Sequence, residues 1–208
     1  MMYAKEDIAK LDRVEKLKII NSVTGIKPAN LIGTINEAGQ TNLAIFSSVV
    51  HLGSDPALLG FITRPRTEAV GHTYNNILEN ALYTINHIHP EFIQNAHCTS
   101  AKFDVAISEF ERCKLTEEFI NDFKAPFVKE SSFKIGMRFI EAMDIKHNGT
   151  TLIIGEIEQL ALPDIAIVDG DIDLEVTNSV GISGLNSYYS LTKIAKHPYA
   201  RLDNAPEF

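Results

Sequence analysis

The side chains best suited to chemistry crowd into residues 42–89, NLAIFSSVVHLGSDPALLGFITRPRTEAVGHTYNNILENALYTINHIH. Arg64 and Arg66 flank Pro65, whose ring stiffens the loop between them. Two guanidinium forks on a stiff loop suit bidentate contact with a phosphate. Solvated ion pairs with Asp55 or Glu68 would account for them equally well. His72 and Thr73 follow. Thr73 is a natural N-cap for a helix that opens at Tyr74, and a helix N-terminus offers N–H groups and a positive dipole end to an anion. His72, just before the cap, can donate to the same anion. The formal net charge is −8, so any anion site must be built locally. Within 42–78 the acids Asp55 and Glu68 balance Arg64 and Arg66, which leaves the window neutral.

Other candidates carry less. Ser47 and Ser48 close an apolar run. Strand neighbours point to opposite faces, so one of the two can aim a hydroxyl outward, although residue type alone says no more than a strand end. His87 and His89 share a strand face and His97 follows, yet no third ligand stands at a familiar metal spacing, which favours structural polar roles over a zinc site. Asn186, Tyr188 and Tyr189 could form an aromatic wall over a planar ligand, or equally a surface or dimer contact. Cys98 and Cys113 do not make a disulfide framework in a chain of this length. They read as two ordinary cysteines before they read as reactive thiols. No nucleophile elbow, defensible carboxylate pair, dinucleotide fingerprint or P-loop is present.

Bulk properties narrow the class. The 208 residues are 45% hydrophobic and 22% charged, the balance of a soluble globular protein with a core. A pI near 5.3 speaks against nucleic acid and against an anionic membrane surface as partners. The N-terminus lacks the apolar stretch of a secretory signal, and no run approaches the roughly 18 apolar residues of a membrane helix. A cytoplasmic protein is expected.

The elements that must position these side chains read as follows. Residues 7–23 form an amphipathic helix through Ile8, Leu11, Val14, Leu17, Ile20 and Val23, stopped by Gly25 and Pro28. Two apolar runs around the EAG turn make a β-hairpin, and 57–63 is a third strand. His72–Asn80 is helical, 82–89 a strand ended by Pro90, and 91–97 a short helix. Residues 116–124 are expected to be a helix, with Thr116 as N-cap, Glu117 and Glu118 at its positive end and Leu115 stapling Ile120. Residues 133–142 and 150–162 are strands about the His147-Asn148-Gly149 turn. The tail from Gly181 is expected to be irregular with short helical pieces. Many short strands with helices between them point to a mainly β fold, a barrel decorated with helices, in a single domain over 1–208 with a C-terminal extension from about 180.

An ordered set of short motifs carries a resemblance. N-x-A-x-F-S-S at 42–48, D-P-x-L-L-G-F at 55–61, R-P-R at 64–66, H-T-Y-x-N-I at 72–77, Y-T-I-N-H-I at 83–88 and G-L-N-S-Y-Y at 184–189 resemble the flavin reductase-like, FMN-binding split-barrel family (flavoredoxin-like) over roughly residues 24–190. The resemblance implies an FMN-binding split β-barrel, usually a homodimer, that reduces flavin with NADH or NADPH, with FAD as an alternative flavin. It implies cofactor contacts from Asn42, Ala44, Phe46, Ser47 and Ser48 along the ring and ribityl chain. Arg64, Arg66, His72 and Thr73 would lie near the phosphate, with Asn186, Tyr188 and Tyr189 on the substrate side. A non-catalytic flavin or electron carrier is the rival. Motifs of the pyridoxamine-phosphate oxidase type of split barrel are not found.

Overall fold

A computed structural model describes residues 1–65, 71–199 and 201. In chain order the elements begin with helices α1 (Lys5–Lys10) and α2 (Arg13–Ser22). Strands β1 (Lys27–Pro28), β2 (Asn30–Ile35), β3 (Thr41–Phe46), β4 (Val50–Ser54) and β5 (Ala57–Thr63) follow. Then come α3 (His72–Asn80), β6 (Leu82–His87), α4 (Ile93–Cys98), α5 (Glu109–Arg112), β7 (Glu117–Glu118) and β8 (Phe127–Val128). The long strands β9 (Lys134–Ile145) and β10 (Thr150–Ala161) precede β11 (Ile167–Val168), β12 (Asp171–Ile172), β13 (Val180–Ser183) and β14 (Ser187–Ser190).

Seven strands pair antiparallel in the order β3-β2-β6-β9-β10-β5-β4. β3 and β4 are therefore opposite edges of one sheet, yet only Ser47, Ser48 and Val49 separate them in sequence. Three residues cannot span a flat seven-stranded sheet at about 4.8 Å per strand, so the sheet must curl until its edges approach. Ser48 marks the seam. Its hydroxyl accepts from the Ile62 N–H at 3.0 Å and donates to the Ile62 carbonyl at 3.3 Å, across to β5. The edges are not joined by a strand ladder, and the barrel is split.

The inside of the curl is filled by Ile32, Phe61, Tyr83, Ile85, Met137 and Ile153, with Tyr74 and Ile77 of α3 packed onto them. A second core, including Leu31, Leu43, Ile88, Phe92, Phe110 and Val128, lies on the other face of β2 and β3. β6 is thus covered on both sides, which suits its run YTIN. Gly33 is required where the 126 loop presses on the sheet, since a Cβ there would stand 2.2 Å from the Pro126 carbonyl oxygen.

Four expectations need correction. The helix over 7–23 is two helices, because Asp12 caps a new start by accepting from the Val14 and Glu15 N–H groups at 2.8 and 3.1 Å. Neither helix has a buried residue, so the apolar stripe faces outward. Residues 116–124 are not a helix. Glu117 accepts from the Thr41 hydroxyl, Glu118 pairs with Lys134, and β7 lies against β8. Two acids suited to a helix start instead serve as tertiary partners, and Asn121 and Asp122 turn the chain at positive φ. Leu115 therefore does not staple a helix there. The tail is a β-hairpin. β13 and β14 turn about Gly184 (φ 63°) and pair with β1 in a three-stranded sheet. Finally, α3 opens at His72 with Gly71 in the N-cap position, so Thr73 lies inside the first turn.

Candidate functional site

The split in the barrel opens into a cleft of about 570 Å³, inside the range of roughly 300–1,000 Å³ usual for small-molecule sites. Its walls are built from segments distant in sequence. Strand β3 and the crossover provide Asn42 and Ala44 to Ser48. The end of β5 provides Ile62 to Pro65, and the start of α3 provides Gly71 to Tyr74. Residues 99–103 after α4, Glu109 of α5, the β13–β14 turn and Asn21 of α2 complete it.

Asn42 is buried and held from two sides. Its Nδ2 donates to the Thr34 hydroxyl at 3.3 Å and to the Thr73 hydroxyl at 3.1 Å. This is what Thr73 does in the fold: it orients Asn42 rather than capping the helix. Phe46 is fixed by an edge contact with Phe61, centroids 5.0 Å apart at 73°. Ser48 is committed to Ile62 across the seam, whereas Ser47 faces the cleft with no such bond. One of the two serines is structural, although both lie in the crossover between β3 and β4 rather than in a strand.

Arg64, just after β5, and His72, at the start of α3, line the same cleft. The backbone N–H groups of His72 and Thr73 belong to the first helical turn, where no intrahelical acceptor exists. Arg66 lies outside the described residues. Asn186, Tyr188 and Tyr189 are not among the lining residues. The Tyr188 hydroxyl hydrogen-bonds to Nδ1 of His97 at 2.9 Å, its rim packed edge-on to that ring, while Asn186 and Tyr189 are exposed. The tail reaches the cleft through Ile182, Gly184 and Leu185 instead.

Contributors that were not singled out in the sequence include three of distinct chemistry. Lys102 adds a cation to the cleft, Phe103 an aromatic ring, and Glu109 a carboxylate. Glu109 is buried and accepts from the Leu43 N–H at 3.1 Å. Burial raises its pKa; the hydrogen bond and the charge of His72 pull back the other way. A Lys-Phe pair in a polar stretch after a helix has no sequence signature of a site. Only the fold brings residues 99–109 to β3.

His87 and His89 take structural roles. His87 Nδ1 meets the Ser179 hydroxyl at 2.9 Å, and its ring lies 4.0 Å from that of Phe133. Nε2 of His89 accepts from the Ser132 N–H at 2.8 Å, so Nδ1 carries the proton and donates to the Asn178 carbonyl at 3.2 Å. Burial depresses both pKa values, that of His87 to about 4 with the neighbouring His89 adding to the effect. Among the described residues no group of three or more His, Cys, Asp or Glu is placed to hold a metal ion.

The donor set fits a phosphorylated planar cofactor: cations and helix N–H groups beside an apolar wall of Ala44, Ile45, Phe46, Ile182 and Leu185. Comparison with known proteins agrees. The profile of the flavin reductase like domain matches residues 26–169. A candidate flavin reductase with a split barrel domain from Shewanella frigidimarina NCIMB 400 superposes with a TM-score of 0.92 at 46% identity, over 96% of this chain and 100% of that one. Nitrilotriacetate monooxygenase component B from Bacillus cereus shares the fold at 16% identity and a TM-score of 0.83, over 95% and 98% of the two chains. Flavoredoxin of Desulfovibrio vulgaris (Miyazaki F) does so at 20% and 0.72, over 85% and 92%. The curled seven-stranded sheet, the cleft at its seam and the matched profile together show that this chain belongs to the flavin reductase like domain family.

Proposed function

We propose that this chain binds FMN in the seam cleft and acts as an NAD(P)H-dependent oxidoreductase, passing electrons on to oxygen, a second flavin or a protein acceptor. One observation carries the reading: a single cleft joins Arg64, His72, Lys102 and a helix N-terminus to an apolar wall. When bound, FMN supplies the hydride and electron transfer, so no protein acid–base constellation is needed. The residues hold, orient and exclude water. Arg64 and the His72 and Thr73 N–H groups would take the phosphate. Ala44, Phe46 and Leu185 would shield the ring, and Asn42 would present a fixed amide toward it.

The chain acts as a homodimer in this reading. The outer face of α2 exposes Val14, Leu17, Ile20 and Val23 at 58, 49, 44 and 68%, an unpartnered apolar stripe. The same helix contributes Asn21 to the cleft, so a partner on that stripe would adjoin the cofactor. An obligate interface should bury more than about 2,000 Å². Among the described residues no helix is long and apolar enough to cross a membrane.

The test is a visible spectrum of the purified protein with FMN, followed by anaerobic titration with NADH and then NADPH. Bleaching of the bound flavin by either nicotinamide supports the oxidoreductase. Tight FMN without reduction by either would favour a carrier. Light scattering at a few micromolar decides the dimer.

A further inference from the structure

The two cysteines bracket a segment that lines the cleft. Cys98 ends α4, and Cys113 is the C-cap of α5. Asn95 stands three residues before Cys98, on the same helix face. Its Nδ2 donates to the Cys113 carbonyl at 2.8 Å, which holds that face of α4 against the end of α5. There the two thiols lie near enough for Cys98 to act on Cys113 electrostatically. Their surroundings are unequal: Cys98 is exposed and Cys113 is 3% exposed. Between them runs the segment 99–112, the source of Lys102, Phe103 and Glu109 in the cleft wall.

We infer that Cys98 and Cys113 form a reversible dithiol–disulfide couple, oxidised by peroxide, that clamps this wall of the cleft. Exposure assigns the roles. Cys98 can be reached by an oxidant. Burial pushes the Cys113 thiol up to about 12, with the neighbouring Cys98 adding to the effect, so Cys113 is the less reactive of the two and acts second.

The chemistry balances. Cys98 sulfur attacks hydrogen peroxide; an S–O bond forms, the O–O bond breaks, and the departing hydroxide leaves as water with the thiol proton. Cys113 sulfur then attacks the Cys98 sulfenic acid; the S–S bond forms, the S–O bond breaks, and a second water carries off the Cys113 proton. Two thiols and one peroxide become one disulfide and two waters, with two electrons passing from sulfur to oxygen. Peroxide is the two-electron product of oxygen, one of the acceptors proposed above. In a reducing compartment such a disulfide would be transient, as regulatory disulfides are. The pairing rests on the thiols alone; its effect on FMN rests on the flavin reading.

The experiment uses reduced full-length protein without flavin, treated with one equivalent of hydrogen peroxide. The expected result is loss of two hydrogens from the intact mass, disappearance of both free thiols, and a Cys98–Cys113 peptide within one chain, all reversed by dithiothreitol. Cys113→Ser should trap Cys98 as a sulfenic acid captured by dimedone, and Cys98→Ser should not react. A linkage between chains, a sulfenic acid persisting on wild-type Cys98, or two intact thiols would overturn the pairing. With FMN loaded, release should be slower from the oxidised than the reduced protein; equal release rates with the disulfide formed would overturn the clamp. Disulfide formation in a protein that binds no FMN at all would leave the pairing standing and remove the flavin reading.

Discussion

His72 and the pair His87/His89 are the same residue type in one short stretch of chain, and the fold makes opposite use of them. His72 opens α3 and faces the cleft beside Arg64. His87 and His89 sit where β6 runs into the second core, their nitrogens engaged by Ser179, Asn178 and Ser132. A polar side chain can act on a ligand only if its polar atoms are not already used by the fold. The same contrast separates Ser47 from Ser48. Changes at the committed set should therefore move stability and spare cofactor binding, and changes at the cleft set should do the reverse.

The largest expected effect tests the committed side. His87 titrates near 4 in the folded protein instead of near 6.5. As pH falls below about 6.5 the unfolded chain takes up a proton that the folded chain refuses until about 4. Stability is thus full above that window and is lost as pH drops through it. The gap corresponds to about 3 kcal/mol at 1.36 kcal/mol per pKa unit. His89, lowered by its own burial, acts in the same direction. Urea midpoints measured from pH 7 to pH 4 should fall steeply in the wild type and much less in His87→Phe, which keeps the packing on Phe133. FMN affinity at pH 7 should not change. A wild-type midpoint that is flat across this window would show that His87 is not held neutral.

Next comes the cleft side. Arg64→Ala removes an exposed guanidinium from the wall. Its loss should weaken FMN by about 1.5–3 kcal/mol, the usual worth of a charge-assisted hydrogen bond. The urea midpoint should shift by no more than about 0.5 kcal/mol, as for a surface substitution. Calorimetry with FMN and riboflavin side by side sharpens the comparison, since riboflavin lacks the phosphate and should bind mutant and wild type alike. Equal losses for both ligands would place the phosphate away from Arg64.

How much of this was legible in the sequence depended on whether a signal was local. The β2–β3 hairpin, β5, α3 and the β9–β10 pair announce themselves by periodicity and by the Asn148-Gly149 turn, and all are present. Residues 116–124 mislead because the capping preference of Thr116 and its glutamates is real but weak, about 1 kcal/mol, and pairing with Thr41 and Lys134 outweighs it. The tail misleads because a short strand paired to β1 leaves no mark that distinguishes it from a loop. Within the cleft, Asn42, Ala44, Phe46, Ser47, Ser48, Arg64, His72 and Thr73 could be named because they lie in motifs. Lys102, Phe103, Glu109 and Asn21 could not, because only the curled sheet brings their segments to the seam. Tyr188 could be named as aromatic but not placed, since the Tyr188–His97 contact spans most of the second half of the chain.

Thr73→Val probes a residue that sits on the boundary between the two sets. It lines the cleft, yet its hydroxyl accepts from Asn42. Removing that acceptor leaves the Asn42 amide with Thr34 alone, at an expected cost of about 0.5–1.5 kcal/mol to the unliganded protein. Chemical unfolding with and without FMN separates the roles. An equal loss in both would make Thr73 purely structural. A larger loss with FMN bound would place the hydroxyl, or the amide it orients, on the cofactor.

The smallest effect expected is at Glu109, which reverses the sign seen at His87. Burial raises its pKa, so the folded chain keeps a proton that the unfolded chain releases above about 4.5. Stability is full below that pH and declines as pH rises through the folded value, where the carboxylate must ionise without water. Glu109→Gln retains an oxygen to accept the Leu43 N–H and removes the ionisation. The variant should gain on the wild type between pH 4.5 and neutrality, by less than about 1 kcal/mol given that one hydrogen bond is preserved. It also removes a negative charge from the cleft proposed to hold the phosphate, so FMN should bind slightly tighter at neutral pH. The two readouts are independent. A variant whose stability follows the wild-type pH profile would mean that Glu109 ionises freely. Weaker FMN binding would mean that its carboxylate serves the cleft itself, which would move Glu109 from the committed set into the acting one.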